Sequence, residues 1–583
     1  MKSSHIKRLL LIIGAFTIAG CSLFDGGVFE IKTDKVTREY VDSHRRITIT
    51  EIPDLTDGKI LGKKLPNPYS MDVMSEAWEI LHPRTREDPD TTDHDLEATH
   101  IYVRMLPEDA SDVDWLLESD YEFFNYPLDY EILGDPDEYH DPSLPDSTVT
   151  WLYTVMPIDA TLPSMDYEIV DVCYIPDDGP QNNNPNGLTP IEQVAFGLVG
   201  GSELNDVGDI DWEEPEPGDG THPGGGTGGN GNLLQGNIKY YDSMLADTVG
   251  VKGLKIVLRS FLKVRTTYTD DNGHFVVPNV FGATPKLVVR FKNEEGFTCH
   301  YGLLLSSITA KHTVGNQLSW SIDSLSDAKN WRLAIINNAA YDWYNYCETT
   351  GIQKPANDLR ITAMNAYEGA SAVMLYHGVS YYVSATQVLA FLLGCPVSDL
   401  PSGPIITKAR VLIQLLSPDV TICNIENESA SVIYKYISHE LSHASHFQQL
   451  GSTNATRSAW WKDVFDYELA NIIASLGDDS YGSATDYGNG PCGVTEMWAY
   501  CMGYCRLYDY TGNNNTTYPG DPYWFKPDFA WDLIKKHAYI TPYQLFSAMT
   551  YDITSIASLK EKLKLLYPSV ANQIDSLYNA YYQ

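Results

Sequence analysis

The most restrictive feature of this sequence is the stretch from Ser429 to Leu450, which contains the pattern H-E-x-x-H. Apolar side chains recur in it every three or four residues, and this period predicts an amphipathic α-helix. On such a helix His439 and His443 leave the same face one turn apart, so both imidazoles can bind one metal ion, usually zinc. Glu440 lies about 100° further round the helix, where its carboxylate can reach a metal-bound water and act as a general base.

Residues that favour a helix start stand just before this stretch. Asn424, Glu426, Asn427 and Glu428 offer capping side chains and negative charge, which suit the positive end of a helix. We therefore predict that the helix begins near residue 428 or 429. A chance match on a packed helix is the alternative, because short motifs also arise by accident, but the capped helical context favours a metal site.

A third protein ligand has to come from another part of the chain, because catalytic zinc normally takes three protein ligands and keeps one open position. Glu496 is the favoured candidate. Ala499 and Gly503 fall on its helical face, and such small residues would let this helix approach the first one closely. Glu468 is an alternative that is nearer in sequence and also helical in pattern, but its neighbours are bulkier.

With His439, Glu440, His443 and Glu496, the chain resembles the gluzincin branch of zinc metallopeptidases, in which a glutamate on a later helix completes H-E-x-x-H. The resemblance covers roughly residues 330 to 583. It implies a zincin-like fold, a bound Zn²⁺ and hydrolysis of peptide bonds in a protein or peptide substrate. In that mechanism Glu440 would be the general base.

The metzincin branch is disfavoured, because it places a glycine and a third histidine where this chain has His446 and Gln449. His446 shares a face with the first two histidines, but it lies about 4.5 Å further along the axis than His443, so a structural role is favoured for it. Tyr500, Tyr504 and Tyr510 are candidates for stabilising an oxyanion, and each equally suits a core aromatic residue. These alternatives stay open at the level of sequence.

The beginning of the chain reads as a secretory signal: a charged start is followed by an apolar run at 9–18 that is too short to span a membrane permanently. The tetrapeptide at 18–21 resembles the bacterial lipobox, whose cysteine becomes the lipidated first residue of the mature protein. Cys21 is therefore predicted to be a lipid anchor. This implies a membrane tether at the bacterial cell envelope, with the outer membrane favoured.

At 583 residues the chain is too long for one core, and its net charge of −37 argues against binding nucleic acid. We predict a multidomain α+β protein. In chain order its parts are a signal peptide (1–20), a lipid-anchored tether (21–35), an N-terminal α+β domain of unknown role (36–212), a Gly/Pro/acidic linker (213–232), a β-sandwich (233–325) and a metallopeptidase domain with mixed sheet and helices (326–583).

The segment from Thr269 to Phe275 carries T-D-x-x-G-x-F, and with the strand before it this region resembles the carboxypeptidase regulatory-like β-sandwich. Asn272-Gly273 predicts a tight hairpin turn between the strands at 264–269 and 274–277. A calcium loop at these acidic residues is the alternative. The turn is favoured, because no later glutamate offers the bidentate ligand that such a loop needs.

Further elements are predicted from apolar periodicity and turn residues. Helices are expected at 70–81, 337–350, 386–393, 556–566 and 571–582. Strands are expected at 99–107, 148–156, 358–364, 371–376, 411–416 and 420–423. Strands that lead directly into the H-E-x-x-H helix are what a zincin-like sheet requires.

Eight cysteines follow Cys21, and in an exported protein they permit disulfides whose pairing the sequence does not determine. Cys501 and Cys505 are one helical turn apart, which invites a metal interpretation, but buried free thiols are favoured. The competing function is a non-catalytic surface binding lipoprotein with a structural or degenerate zincin-like domain. It accounts for about half of the sequence, in which no catalytic pattern is found. The general base Glu440 instead favours an enzyme.

Overall fold

The computed structural model describes most of the chain from residue 60 onward. The described residues are 60–83, 96–145, 148–176, 188–200, 234–277, 285–301, 310–315, 317–364, 369–378, 384, 386–388, 390, 398, 413, 417–423, 428–475, 479–521 and 523–583. The predicted signal peptide, Cys21, the tether and the linker at 213–232 lie outside them. None of the described helices combines the length and the apolar character that crossing a bilayer requires.

The N-terminal module, defined here as residues 60–200, is a small α+β unit. Its elements are β1 (Leu61–Lys64), α1 (Met71–Leu81), β2 (His100–Leu106), α2 (Ala110–Glu118), β3 (Tyr130–Ile132), β4 (Leu152–Pro157), β5 (Asp166–Cys173) and α3 (Pro190–Leu198). A three-stranded antiparallel sheet has the order β4-β2-β5, and β1 pairs with β3. The predicted helix at 70–81 is present, because the Ser70 hydroxyl accepts from the Val73 N–H and caps α1.

The described residues between 234 and 322 form strands joined by turns. The strands are β6 (Gln235–Asp242), β7 (Asp247–Gly250), β8 (Leu254–Ser260), β9 (Lys263–Tyr268), β10 (His274–Val276), β11 (Lys286–Asn293), β12 (Thr298–Tyr301), β13 (Lys311–Gly315) and β14 (Trp320–Ile322). One described sheet has the order β10-β6-β14, and β7 also pairs with β6.

The C-terminal region is mainly helical. Its elements are α4 (Ala328–Thr350), β15 (Arg360–Met364), β16 (Gly369–Ser371), β17 (Val420–Cys423), α5 (Ala430–Gln449), α6 (Asn454–Ser475), α7 (Gly490–Thr511), α8 (Pro527–Trp531), α9 (Pro542–Ala548), α10 (Ile556–Leu566) and α11 (Ala571–Tyr582). The predicted helices at 556–566 and 571–582 and the strand at 420–423 have the expected bounds.

The largest sheet joins the middle of the chain to the C-terminal region. Its order is β16-β17-β15-β12-β11-β8-β9, and β13 also pairs with β11. β12 and β15 are parallel neighbours, with Cys299 opposite Ile361, so hydrogen bonding continues across the boundary predicted after residue 325. One apolar core also includes residues from both sides of that boundary. The protein is therefore a multidomain α+β protein in which these two parts share a sheet.

The two faces of this sheet are covered by different layers. Leu258 of β8 and Val289 of β11 point into the core that contains α4, α5 and α7. The alternate residues Val257 and Val288 pack instead into the core of the N-terminal module. Alternation along each strand explains this division, because successive side chains point to opposite faces. The N-terminal module is thus docked on the sheet.

Buried ion pairs lie in the contact between the N-terminal module and the sheet. Glu122 pairs with Lys255 and Arg290, and its Oε2 lies 2.8 Å from the Arg290 Nε. Glu192 of α3 lies 3.3 Å from the Lys263 Nζ. Charges at this depth need partners, because an unpaired buried charge is strongly unfavourable. Acidic side chains of the module therefore pair with basic side chains on this face of the sheet.

Three expectations from the sequence are wrong. Gly273 has the positive φ of a turn, 74°, but its two flanking strands do not form a hairpin: β9 pairs with β8, and β10 pairs with β6. The strand predicted at 371–376 ends at Ser371, and Met374 has a φ of 49° that no strand contains. The strand predicted at 411–416 is contradicted at Ile413, which is helical. In the first of these, long-range strand pairing overrides the local turn signal.

Candidate metal centre

Helix α5 carries the H-E-x-x-H pattern and begins at the residue after Ser429. The Ser429 hydroxyl accepts from the Val432 N–H at 3.4 Å, which satisfies one of the free donors at the helix start. The predicted start is therefore correct, whereas the side chains proposed as caps at 424–427 lie outside the described residues. Ile437 and Leu441 are fully buried, so the apolar stripe holds the histidine face in a fixed orientation.

Helix α7 carries Glu496 and lies along α5. Gly503 permits a close approach, because a Cβ placed there would lie 3.1 Å from the Lys435 carbonyl oxygen and 3.3 Å from the His439 Cβ. Ala499, on the same face, is completely buried. The small residues that the sequence pattern singled out thus lie where the two helices meet.

The His439, His443 and Glu496 side chains converge. The Glu496 Oε1 lies 3.1 Å from the His443 Nε2, and the Glu496 Oε2 lies 3.5 Å from the His439 Nε2. The two Nε2 atoms are 3.0 Å apart. All three residues are less than one-tenth exposed, so the structure brings both predicted histidines and the favoured carboxylate into one buried site.

These side chains fit a metal ion. Two atoms bound tetrahedrally to zinc at about 2.05 Å would lie roughly 3.3 Å apart, and the observed separations of 3.0, 3.1 and 3.5 Å bracket that value. The Glu496 Oε2 is buried without a hydrogen-bond partner among the described residues, as expected of an oxygen that binds a cation. His439, Glu440 and His443 also form a buried group that could hold a metal ion.

The Glu440 carboxylate lies at the edge of this site, with its Oε1 3.8 Å from the His439 Nε2. Burial raises the pKa of Glu440 well above its ordinary value, and the negative charges of Glu496 and Glu468 raise it further. A hydrogen bond from the Ala372 backbone opposes this rise. Glu440 is thus a carboxylate with a high affinity for a proton.

The pKa shifts of His439 and Glu496 favour metal binding. Burial lowers the pKa of His439, so this imidazole is neutral and can donate a lone pair to a cation. Burial by itself raises the pKa of Glu496, but its interactions with His443 and His439 outweigh burial and hold the pKa below its ordinary value. Glu496 is therefore an ionised acceptor that faces two nitrogen ligands.

The alternative ligand Glu468 lies nearby on α6 but faces a different partner. The Cys492 thiol is 3.7 Å from its Oε1, and burial raises the pKa of this carboxyl well above the usual value. Within the described residues, neither His439 nor His443 forms an ion pair with it. Glu468 is thus a buried carboxyl near the site that favours its protonated form.

The three tyrosine candidates lie in different surroundings. The Tyr500 ring packs edge-on against His439, with ring centroids 4.5 Å apart, and its hydroxyl is 3.1 Å from that of Tyr481. Tyr510 donates to Asp242 at 2.6 Å, which uses its hydroxyl in the core. Tyr504 packs beside Lys435. Only Tyr500 of these three contacts a histidine of the site in the described structure.

Sequence reasoning missed two hydroxyl groups near the site, those of Tyr481 and Thr495. Tyr481 lies in the connection between α6 and α7, where no periodic pattern marks it. Thr495 directly precedes Glu496, and its Oγ1 lies 2.8 Å from the His443 Nδ1 and 3.2 Å from the His446 Nδ1. Adjacency to the candidate ligand is the one signal that could have identified Thr495.

Six cysteines, those whose side chains the structure describes, are buried free thiols. They are Cys173, Cys299, Cys347, Cys492, Cys501 and Cys505. The Cys501 and Cys505 sulfurs are 4.0 Å apart on α7, as helical spacing requires. The thiol interpretation that the sequence favoured for this pair agrees with their burial.

No protein-family model matches this chain, and no curated protein matches it.

Proposed function

We propose that this protein is a zinc-dependent peptidase of the gluzincin type that acts from the bacterial cell envelope on a protein or peptide substrate. His439, His443 and Glu496 would hold the Zn²⁺ ion. The observation that carries the proposal is the position of Glu440, a buried carboxylate whose Oε1 lies 3.8 Å from the His439 Nε2, beside two converging imidazoles. A purely structural metal site has no use for such a base.

The roles of the side chains follow from their positions. A bound zinc ion would polarise the scissile carbonyl and lower the pKa of water toward about 7. Glu440 would take the proton from the attacking water and pass it to the leaving amine, a role that suits a carboxyl with a high proton affinity. Tyr500 is the best-placed tyrosine to stabilise the oxyanion, because its ring contacts His439 and its hydroxyl pairs with Tyr481.

An edge strand near Glu440 could bind a peptide substrate. β16 stands at the end of the described strand order of the large sheet, where it pairs with β17 alone. The chain then runs into Ala372, whose backbone forms a hydrogen bond with Glu440. An extended peptide added to this edge would gain backbone hydrogen bonds and bring a peptide bond toward the site.

Attachment to the envelope is supported by the sequence alone. The charged start, the short apolar run and the lipobox-like tetrapeptide that ends at Cys21 favour a secreted, lipid-anchored protein. We propose the outer membrane as the site of the anchor. Substrates would then be proteins or peptides at the envelope, which agrees with a net charge of −37 that disfavours nucleic acid.

The decisive experiment compares the wild type with Glu440→Gln. Zinc stoichiometry and cleavage of a diverse peptide library are measured for both proteins. We expect Glu440→Gln to keep its zinc and lose at least about 100-fold in kcat, because it removes the proton acceptor and leaves the ligands in place. Glu561→Gln, at an exposed position on α10, is the matched control. Full cleavage by Glu440→Gln would exclude the proposed base.

A further inference from the structure

The Thr495 hydroxyl lies between two imidazoles of α5. Its Oγ1 is 2.8 Å from the His443 Nδ1 and 3.2 Å from the His446 Nδ1. Thr495 is completely buried and His446 is 1% exposed, so water does not easily replace either contact. A hydroxyl group can donate one hydrogen bond while it accepts another, so these three side chains can form a continuous series of hydrogen bonds.

The hydrogen bonds of His446 determine which group donates and which accepts at each step of this series. The backbone of Met549 is the other partner of His446. The Met549 N–H already donates to the Phe546 carbonyl, so the Met549 carbonyl is the acceptor and the imidazole is the donor. The Nδ1 of His446 faces Thr495, so Nε2 is the nitrogen that donates to Met549. Burial is the main cause that lowers the pKa of His446 to about 3, so at neutral pH the ring carries a single N–H group.

Each later step follows from the one before. Because the single proton of His446 is on Nε2, its Nδ1 has a lone pair and accepts from the Thr495 hydroxyl. Because that hydroxyl donates to His446, the Thr495 oxygen is free to accept from the Nδ1–H of His443. A neutral His443 protonated on Nδ1 has its lone pair on Nε2, the atom 3.1 Å from the Glu496 Oε1.

We propose that Thr495 is a positioning residue which, with His446, fixes His443 in the tautomer whose Nε2 lone pair faces the metal position. The inference rests on the metal site of the proposed function and deepens it. It gives His446 a role that does not require this residue to be a ligand. Histidine ligands are commonly oriented through their second nitrogen, and loss of the orienting group typically lowers metal affinity about 10- to 100-fold.

The test uses three variants of the full chain. Thr495→Val keeps nearly the same volume but removes the hydroxyl, whereas Thr495→Ser keeps it. Gln449→Leu is the matched control, because the Gln449 side chain donates to the Phe546 and Met549 carbonyls without contacting Thr495. Zinc affinity is measured by competition with a chelator, and the melting temperature of the metal-free protein reports whether each variant folds.

We expect Thr495→Val to weaken zinc binding about 10- to 100-fold, and Thr495→Ser and Gln449→Leu to stay within about threefold of the wild type. The metal-free melting temperatures should change little. Unchanged zinc affinity in Thr495→Val would overturn the proposal, as would a Thr495→Ser variant that is as weak as Thr495→Val. A merely structural role would lower the melting temperature without this rescue by serine.

A second measurement determines the tautomers in the wild type itself. Histidine-selective ¹⁵N NMR of the wild type, with His443 and His446 assigned by substitution, reports which ring nitrogen carries the proton. We expect Nδ1–H for His443 and Nε2–H for His446, and the opposite tautomer of either ring would overturn the proposal. Neither measurement uses a peptide, so a wild type without peptidase activity would count against the proposed function alone. A wild type that binds no zinc would overturn both.

Discussion

The Glu496 Oε1 lies 3.1 Å from the His443 Nε2, although the two residues belong to different helices, α7 and α5. The contact exists because Gly503 places no side chain between the helices and Ala499 fills little space on the same face. A carboxylate therefore enters a site that two histidines of α5 have already half formed. This relationship distinguishes Glu496 from Glu468, the other acidic residue that the sequence offered as a ligand.

Exchange of Glu496 for glutamine should weaken zinc binding at least about 100-fold, because a neutral amide replaces an ionised ligand. Glu468→Gln is the matched control, since this nearby carboxyl pairs with Cys492 and with neither histidine. We expect Glu468→Gln to stay within about threefold of the wild type. Chelator competition measures both values. Equal losses in the two variants would show that the site responds to total charge and that Glu496 has no special role as ligand.

Zinc should raise the stability of the wild type but not that of His443→Ala. A ligand that binds only the folded state stabilises it by about 4 kcal/mol at 1,000 times its Kd. Melting curves with added zinc and with a chelator should therefore separate clearly for the wild type. For His443→Ala they should nearly coincide, because one nitrogen ligand is lost. An equal shift in both proteins would place the stabilising metal elsewhere in the chain.

The docking of the N-terminal module should depend on Glu122. Exchange for glutamine leaves Lys255 and Arg290 without a buried counter-charge, and removal of one member of a buried pair typically costs about 3–5 kcal/mol. The free energy of unfolding from urea titration measures this effect. Asp466→Asn is the control, because the Lys462–Asp466 pair is exposed and should contribute no more than about 0.5 kcal/mol. Similar small losses in both variants would mean that the module docks without this ion pair.

The contribution of His377 to stability should fall at alkaline pH. Burial lowers the pKa of His377, but Asp419 and Asp358, each 2.8 Å from a ring nitrogen, outweigh it and raise the pKa to about 10. Because this value lies above the ordinary 6.5, the stabilisation is complete below about pH 6.5 and is lost as pH rises through about 10.

The measurement for His377 is the pH dependence of the free energy of unfolding for the wild type and His377→Gln. We expect the wild type to exceed the variant by its largest margin near pH 6 and the margin to shrink toward pH 10. A margin that stays constant over this range would show that His377 acts through packing and not through its charge.

Local patterns in the sequence predicted α5 with its start, the shared face of His439 and His443, and the helices at the C-terminus. Each of these depends on residues within one or two helical turns. The hairpin at Asn272-Gly273 was wrong, although Gly273 does occupy a turn, because the flanking strands found partners in different sheets. A turn signal describes only a few residues, whereas strand pairing depends on distant ones.

The sequence by itself determined that two imidazoles and one carboxylate, those of His439, His443 and Glu440, leave neighbouring positions of one helix, because helical spacing fixes that geometry. Only the tertiary structure decided that Glu496 meets the two histidines, that Thr495 links His443 to His446, and that the N-terminal module covers the sheet. These relationships join residues that are far apart along the chain. They depend on how side chains from several elements fill one core, and no local period encodes that.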